Sequence, residues 1–226
     1  ELLGPIMIAA ARQCKMPTAV HLDHGRTLET VRLALTLGFT SVMFDGSHFP
    51  LEENIAKTKE IVALAEKFGA SVEGEIGSIG GAEGDMASAD IQVTSVSEAK
   101  RFAAETKVDA LAVAIGTAHG NYKETPHLRI DRLQEIHEAL DTPLVLHGGT
   151  GLTAADFHNC LVNGITKINI ATASYDRSAA KIKEVHQAKP EANYFDFSEA
   201  ISVGTYENVK KHMEIFGLKG KAGLYN

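Results

Sequence analysis

The sequence is poor in three features that would each point to a particular class of protein: cysteine, excess positive charge and long apolar runs. Only two of its 226 residues are cysteines, Cys14 and Cys160, and neither belongs to a Cys-x-x-Cys metal motif. One disulfide could still form between them. So few cysteines nevertheless favour a reducing, cytoplasmic setting over a disulfide-rich secreted scaffold.

The charge balance and the hydropathy pattern disfavour two further classes. The net charge of −7 argues against non-specific binding to nucleic acid or to an anionic membrane. No apolar run approaches the roughly 20 residues that a membrane-spanning helix needs. An anionic small molecule remains compatible with this charge, because backbone N–H groups can form a local phosphate site.

Short apolar runs alternate along the chain with segments of helical periodicity. Six runs end near glycine, histidine or aspartate: 18–23, 40–45, 71–77, 110–116, 143–149 and 167–172. Such runs are typical of buried parallel strands that are apolar on both faces. Helical spacing is found at 27–37, 51–68, 96–105, 128–140, 153–163 and 173–184. The pattern predicts right-handed βα units in a single α/β domain over 1–226.

Polar residues collect at the C-terminal ends of five or six of these predicted strands. A TIM (β/α)8 barrel keeps its chemistry at that end, so we favour a barrel over an open doubly wound sheet. Only six strands are visible, and we expect the first two βα units of the barrel to be missing before Glu1. A C-terminal extension is expected as two helices, 196–202 and 207–216, followed by a frayed tail.

Three histidines lie at or just after predicted strand ends. His24 follows the first strand, His119 lies in the loop after the fourth, and His147 lies near the end of the fifth. If these strands are neighbours in a barrel, three imidazoles can converge with a fourth position open, which is the donor set of a catalytic zinc ion. A lone histidine more often packs or lies in water, and we expect His21, which lies further inside the strand, to pack. His48, in a loop after a strand, is a weaker candidate.

Carboxylates also lie near the strand ends. Asp23 could relay a proton to a substrate hydroxyl, but it could equally orient a histidine or cap a helix. Glu73 and Glu75 alternate along one strand and therefore share a face. On the inside of a barrel they would need a metal ion, an arginine or a lysine between them, and Asp45 could share that cation. On an edge strand they would simply lie in water.

Two glycine-rich segments and one strand end complete the candidate residues. Residues 77–85 contain a single glutamate, Glu83, and could form either a plain surface loop or a mobile loop that delivers a base on closure. In the segment HGGTG, glycines would let backbone N–H groups approach an oxyanion, and Thr150 adds a hydroxyl donor. The segment NIAT, residues 169–172, ends the last strand, and a phosphate site after the last two barrel strands is a recurrent arrangement.

Five linked motifs resemble, in order and spacing, those of the class II ketose-bisphosphate aldolases, which include the fructose- and tagatose-bisphosphate enzymes. The motifs are HLDHG, EGEIGSIGG, AVAIGTAHGNY, VLHGGTGL and KINIAT. The resemblance implies a TIM barrel, usually a homodimer or homotetramer. It also implies zinc-dependent, reversible cleavage of a ketose 1,6-bisphosphate to dihydroxyacetone phosphate and an aldehyde such as glyceraldehyde 3-phosphate.

The resemblance further implies a set of metal ligands. His24, His119 and His147 match the three ligands of the catalytic Zn²⁺. Asp45 and Glu75 match an alternative or second metal position found in some members. A monovalent cation, Na⁺ or K⁺, often assists phosphate binding in the family.

Catalytic and substrate-binding roles follow from the same resemblance. Asp23 matches the residue that exchanges a proton with the aldehyde-derived hydroxyl, and Glu83 matches the loop glutamate that removes the C3 proton of dihydroxyacetone phosphate. The segments that hold this triose and its phosphate correspond to Gly120, Gly148, Gly149, Thr150, Asn169, Ile170, Ala171 and Thr172.

Two positions depart from the family's pattern. Gly84 stands where a second acidic residue is common in the family, so Glu83 is the one acidic residue of that pair that this chain keeps. Ala171 stands where members specific for fructose bisphosphate can carry aspartate, which disfavours strict fructose specificity. Two other functions stay open on these residues: a metal-assisted sugar-phosphate epimerase or isomerase, and a non-catalytic sugar-phosphate-binding subunit.

Overall fold

Six parallel strands form the central sheet of this computed structural model. It describes residues 2–83, 86–88, 92–122 and 125–225, with the backbone alone at 80–83, 86–88 and 224–225. The strands are His21–Gly25 (β1), Ser41–Phe44 (β2), Ser71–Ile76 (β3), Ala110–Val113 (β6), Leu144–Leu146 (β8) and Ile165–Ile168 (β9). They lie side by side in chain order, so all six predicted strands are present.

Helices connect these strands, and several of them begin at a side-chain cap. The helices are Leu3–Gln13 (α1), Leu28–Leu37 (α2), Leu51–Ala65 (α3), Val96–Thr106 (α4), Ile130–Ala139 (α5), Ala154–Val162 (α6), Thr172–Ala188 (α7) and Tyr194–Ile215 (α8). The side chains of Thr27, Ser95 and Thr153 each accept a hydrogen bond from a backbone N–H in the first turn of the following helix. In the part of the chain that is described, no helix has both the length and the apolar character of a membrane span.

The two faces of the parallel sheet have different surroundings. Alternate strand residues such as Leu111 and Leu146 belong to the main apolar core, which they share with helix residues such as Phe157. The opposite face carries a small apolar cluster of Met43, Ala112 and Val145, with no helix residue in it. The architecture is thus a curled α/β half-barrel with its helices outside, and not a doubly wound sheet with helices on both faces.

The inner face also carries buried polar side chains, so the prediction of strands that are apolar on both faces is wrong there. Glu73, Glu75 and His147 are each at most 2% exposed. Glu73 and Glu75 occupy alternate positions of β3. Glu73 is hydrogen-bonded to His147, and Glu75 Oε2 lies 4.0 Å from His24 Nδ1. Within the described residues, β1 and β9 each pair with a single neighbour, and the sheet does not close into a barrel.

A second, three-stranded sheet contains part of the glycine-rich segment that was expected to be a loop. Its strands are Gly80–Glu83 (β4), Met86–Ser88 (β5) and Ala118–His119 (β7), in the order β5-β4-β7. Gly81 pairs with His119 in the parallel β4–β7 ladder. Glycine favours loops, but it keeps the backbone N–H and C=O groups that a ladder uses, which is why composition alone misassigned this segment.

The C-terminal extension is one long helix and not the two that were predicted. Gly204 lies in the middle of α8 and is buried against α7, where an added Cβ would come within 2.7 Å of Ser178 Cα. The glycine therefore serves close helix packing and does not end the helix. The tail, expected to be frayed, contains a 3₁₀ turn at Ala222–Tyr225.

Candidate metal centre and anion-binding cleft

Three histidines meet at the C-terminal end of the curled sheet. His24 lies in β1, His119 in β7, and His147 directly after β8. One ring nitrogen of each lies within 4.8 Å of one nitrogen of the other two. The ring centroids are between 4.7 and 5.8 Å apart. This spacing suits three ligands of one metal ion.

Carboxylates behind two of the rings determine which nitrogen faces the centre. His24 Nδ1 is 3.0 Å from Asp45 Oδ2, and His147 Nε2 is 2.8 Å from Glu73 Oε1. The remaining nitrogens, His24 Nε2 and His147 Nδ1, are buried and have no hydrogen-bond partner among the described residues. Buried polar atoms without a partner are uncommon, and a bound cation would supply one. The donor set therefore fits the zinc ion that the motifs imply.

His24, Asp45 and Glu75 form a second group of possible ligands on the same side of the sheet. Burial lowers the pKa of His24, but its hydrogen bond with Asp45 and the charges of Glu75 and Asp23 outweigh burial and raise this pKa to about 9. Burial and the neighbouring charge of Asp45 raise the pKa of Glu75 to about 8. The crowding of acids around one imidazole creates a site that a cation would neutralise.

An ion pair balances the other inner-face glutamate. Glu73 Oε2 is 2.8 Å from Lys167 Nζ and 3.8 Å from His21 Nε2. Burial would raise the pKa of Glu73, but the hydrogen bond with His147 and the positive charge of Lys167 lower it to about 2. The prediction that a cation would accompany these interior glutamates thus holds for Glu73, and the cation is a lysine.

Lys167 was missed as a site residue, although the sequence carries a signal for it. In KINI, Lys167 and Asn169 alternate with Ile168 and Ile170, and the two isoleucines pack against the main core. The polar residues must then face the opposite, inner side of the sheet. There Lys167 Nζ donates a hydrogen bond to Asn169 Oδ1, and Asn169 Nδ2 donates one to Asp23 Oδ1 at 2.7 Å.

An open cleft adjoins the histidines. The structure brings all the predicted triose- and phosphate-binding residues to it, together with Asp23 and two of the histidines. The lining residues are Asp23, His119, Gly120, His147, Gly148, Gly149, Thr150, Asn169, Ile170, Ala171 and Thr172. Helix α7 begins at Thr172, so the positive end of its dipole lies at the cleft. This combination suits an anionic group such as a phosphate.

A tyrosine that the sequence analysis did not single out joins the cleft to the loop that carries His119. The hydroxyl of Tyr122 donates to Gly148 O at 2.7 Å and accepts from Ala118 N at 3.1 Å. Gly148 has φ of 70°, and an added Cβ would lie 2.5 Å from Ala118 O. The two loops therefore touch backbone to backbone, which only glycine permits.

Other predicted residues lie outside the cluster of histidines. His48 is exposed, and its ring contacts that of Phe49 at a tilt of 41°. Glu83 is the last residue of β4, and Gly81 in the same strand pairs with His119. The side chain of Glu83 lies outside the described residues. Its role as a base stays a prediction.

Sequence and structure comparisons connect this site to known proteins. The family model described as fructose-bisphosphate aldolase class-II matches residues 1–221. A "Sulfofructosephosphate aldolase" of Alkalicoccus urumqiensis is 42% identical over 215 residues, which are 93% of this chain and 74% of that protein. A "Probable fructose-bisphosphate aldolase" of Bacillus subtilis is 42% identical over 176 residues, 78% of this chain and 62% of that protein.

The fold agrees with these matches. The crystal structure of the YdjI aldolase from Escherichia coli K12 superposes with a TM-score of 0.83 at 31% identity, covering 97% of this chain and 76% of that one. The aligned sequence motifs, the half-barrel and the convergent histidines lead to one assignment. The chain belongs to the class II fructose-bisphosphate aldolase family.

Proposed function

We propose that the protein is a metal-dependent aldolase that cleaves, and in reverse forms, a carbon–carbon bond in a phosphorylated ketose. The observation that carries this proposal is the meeting of three imidazoles beside a cleft rich in backbone donors. His24, His119 and His147 would hold Zn²⁺. When bound, the ion would supply a Lewis acid for the carbonyl group of the substrate.

The chain's own residues would bind the triose and move its protons. Backbone groups at Gly148–Thr150 and at the start of α7 would anchor the phosphate and so fix the position of C3. Glu83 would accept the proton from C3 of dihydroxyacetone phosphate. Asp23, whose side chain is 42% exposed at the cleft, would exchange a proton with the hydroxyl derived from the aldehyde.

The substrate class is a ketose 1,6-bisphosphate of the fructose or tagatose type, or a ketose phosphate with a sulfonate at the far end. The last possibility comes from the relative that is named for sulfofructose phosphate. Ala171 is compatible with substrates other than fructose bisphosphate, since no carboxylate stands there. We further propose a cytoplasmic homo-oligomer, on the strength of the family resemblance alone.

Substrate cleavage and proton exchange together test this function. The metal-loaded protein is given fructose 1,6-bisphosphate, tagatose 1,6-bisphosphate and sulfofructose phosphate, and aldehyde release is followed by a coupled assay. Exchange of tritium at C3 of dihydroxyacetone phosphate is measured in parallel. Aldehyde release from at least one substrate is expected. Turnover without aldehyde would indicate an epimerase or isomerase, and binding without exchange would indicate a non-catalytic subunit.

The Glu83→Ala variant tests the proposed base. It should keep its bound metal, because Glu83 is not one of the three proposed ligands. It should lose C3 exchange by about 100-fold or more, the usual contribution of a general base. His48→Ala, which changes an exposed side chain outside the site, is the control. Unchanged exchange in Glu83→Ala would remove Glu83 from the mechanism.

A further inference from the structure

The ammonium group of Lys167 connects two parts of the site that the proposed mechanism treats separately. It lies 2.8 Å from Glu73 Oε2, and the Glu73 side chain is only 2% exposed. The same ammonium donates a hydrogen bond to Asn169 Oδ1. An ammonium group can donate but cannot accept, so this contact requires the amide oxygen of Asn169 to face Lys167.

The orientation of that amide decides what Asn169 offers to Asp23. With its oxygen toward Lys167, the amide points its NH₂ group at β1 and donates to Asp23 Oδ1 at 2.7 Å. A flipped amide would place its oxygen against the carboxylate, where two acceptors have no proton to share. Lys167 therefore selects the one amide orientation that can hold the Asp23 carboxylate.

We infer that Lys167 is a positioning residue that orients Asn169 and, through it, holds the carboxylate of Asp23 for proton exchange with the substrate. The ion pair with Glu73 holds the ammonium group of Lys167 in position. This inference depends on the proposed function, because that function gives Asp23 its proton-exchange role. Removing the ammonium should release the amide and the carboxylate while leaving the three imidazoles in place.

Two reactions of the proposed aldolase separate this role from a general structural one. Exchange at C3 of dihydroxyacetone phosphate uses the proposed base Glu83, whereas cleavage of a complete ketose phosphate also needs Asp23. In Lys167→Met we expect kcat for cleavage to fall about 100-fold, as for a catalytic group misplaced by about 1 Å. At saturating dihydroxyacetone phosphate, exchange should stay within about threefold of wild type because it does not use Asp23, and metal content should do the same.

A control lysine elsewhere in the chain and two outcomes that would contradict the inference complete this comparison. Lys183→Met alters an exposed lysine of α7 and should leave both reactions unchanged. Equal losses of cleavage and exchange, or loss of the metal, would show that Lys167 acts on the whole site and would overturn the inference. Undiminished cleavage would overturn it as well.

A double-mutant cycle tests whether Lys167 acts through Asn169. If it does, Lys167→Met combined with Asn169→Ala should cleave substrate within about threefold of the slower single variant, since the two changes remove one pathway. Losses that multiply would contradict the pathway. If Lys167→Met does not fold, Asn169→Ala alone must lower kcat for cleavage by more than kcat for exchange, both measured at saturating substrate because Asn169 also lines the triose cleft. Equal losses of the two kcat values overturn the inference.

A readout that needs no activity keeps this inference separable from the proposed function. The side-chain NH₂ resonances of Asn169, assigned by their absence in Asn169→Ala, should shift and exchange faster with solvent in Lys167→Met. Unchanged resonances would overturn the role of Lys167, whatever the enzyme does. A wild-type protein without cleavage or exchange would instead contradict the aldolase function, and the resonances would still decide on Lys167.

Discussion

The two cysteines illustrate how far a single residue's surroundings change its chemistry. Cys14 is exposed, and hydrogen bonds from Thr18 and from the backbone lower its pKa. Cys160 is fully buried in α6, and burial raises its pKa to about 12. Because the thiolate is the reactive form, a thiol reagent such as DTNB should label one cysteine per native chain and both after unfolding.

The Cys14→Ser variant is the control for this labelling experiment, and it should remove the fast native reaction. Two cysteines that react equally fast in the native protein would contradict the burial of Cys160.

Which residues meet at the site could be predicted from the sequence where a motif was present, and less well where only geometry decides, while their roles stay predictions. The three histidines and Asp23 were found because each lies at or just after the end of a predicted strand. Lys167 was not found, because its role depends on Glu73, which lies 94 positions earlier in the chain and faces it across the curled sheet. Only the alternation of polar and apolar residues in KINI indicated that the Lys167 side chain faces the inner side of the sheet.

At the scale of elements, Gly204 shows packing overriding helix propensity. Alanine is favoured over glycine inside a helix by about 1 kcal/mol. At position 204, however, an added Cβ would lie 2.7 Å from Ser178 Cα, which is a backbone atom of the packed helix α7. We expect Gly204→Ala to lower the free energy of unfolding by about 1–3 kcal/mol, as other overpacked sites do.

Chemical denaturation measures this change in stability. Ser202→Ala, an exposed position on the same helix, should stay within about 0.5 kcal/mol of wild type. A gain in stability for Gly204→Ala would mean that α7 and α8 do not approach as closely as described.

Strands and helices with strong periodicity could be predicted, whereas elements that depend on tertiary contact could not. The six parallel strands follow from apolar runs that end in turn residues. Strand β4 has no such pattern, because Gly80 and Gly81 carry no side chain to show an alternation, and β7 is only two residues long. Their pairing becomes visible only once the loop around His119 is placed beside them.

For the whole molecule, metal binding should stabilise the folded state. The proposed ligands come from β1, β7 and the end of β8, so an unfolded chain cannot hold the ion with the same geometry. Zn²⁺ at 100 times its dissociation constant would add about 2.7 kcal/mol to the free energy of unfolding. Thermal unfolding of chelator-treated protein, with and without added Zn²⁺, measures the effect.

Two histidine variants complete this experiment. In His119→Ala the shift caused by Zn²⁺ should largely disappear, whereas His48→Ala should keep the full shift. A shift of equal size in both variants would indicate that zinc binds elsewhere on the chain.

The bond between Tyr122 and Gly148 has a consequence for how ligands influence each other. The tyrosine ties the strand that bears His119 to the glycines of the anion cleft, so the two cannot be displaced independently. A cation at the histidines and a phosphate in the cleft would each favour the same arrangement of this shared segment. By thermodynamic reciprocity, each ligand would then strengthen the binding of the other by the same factor.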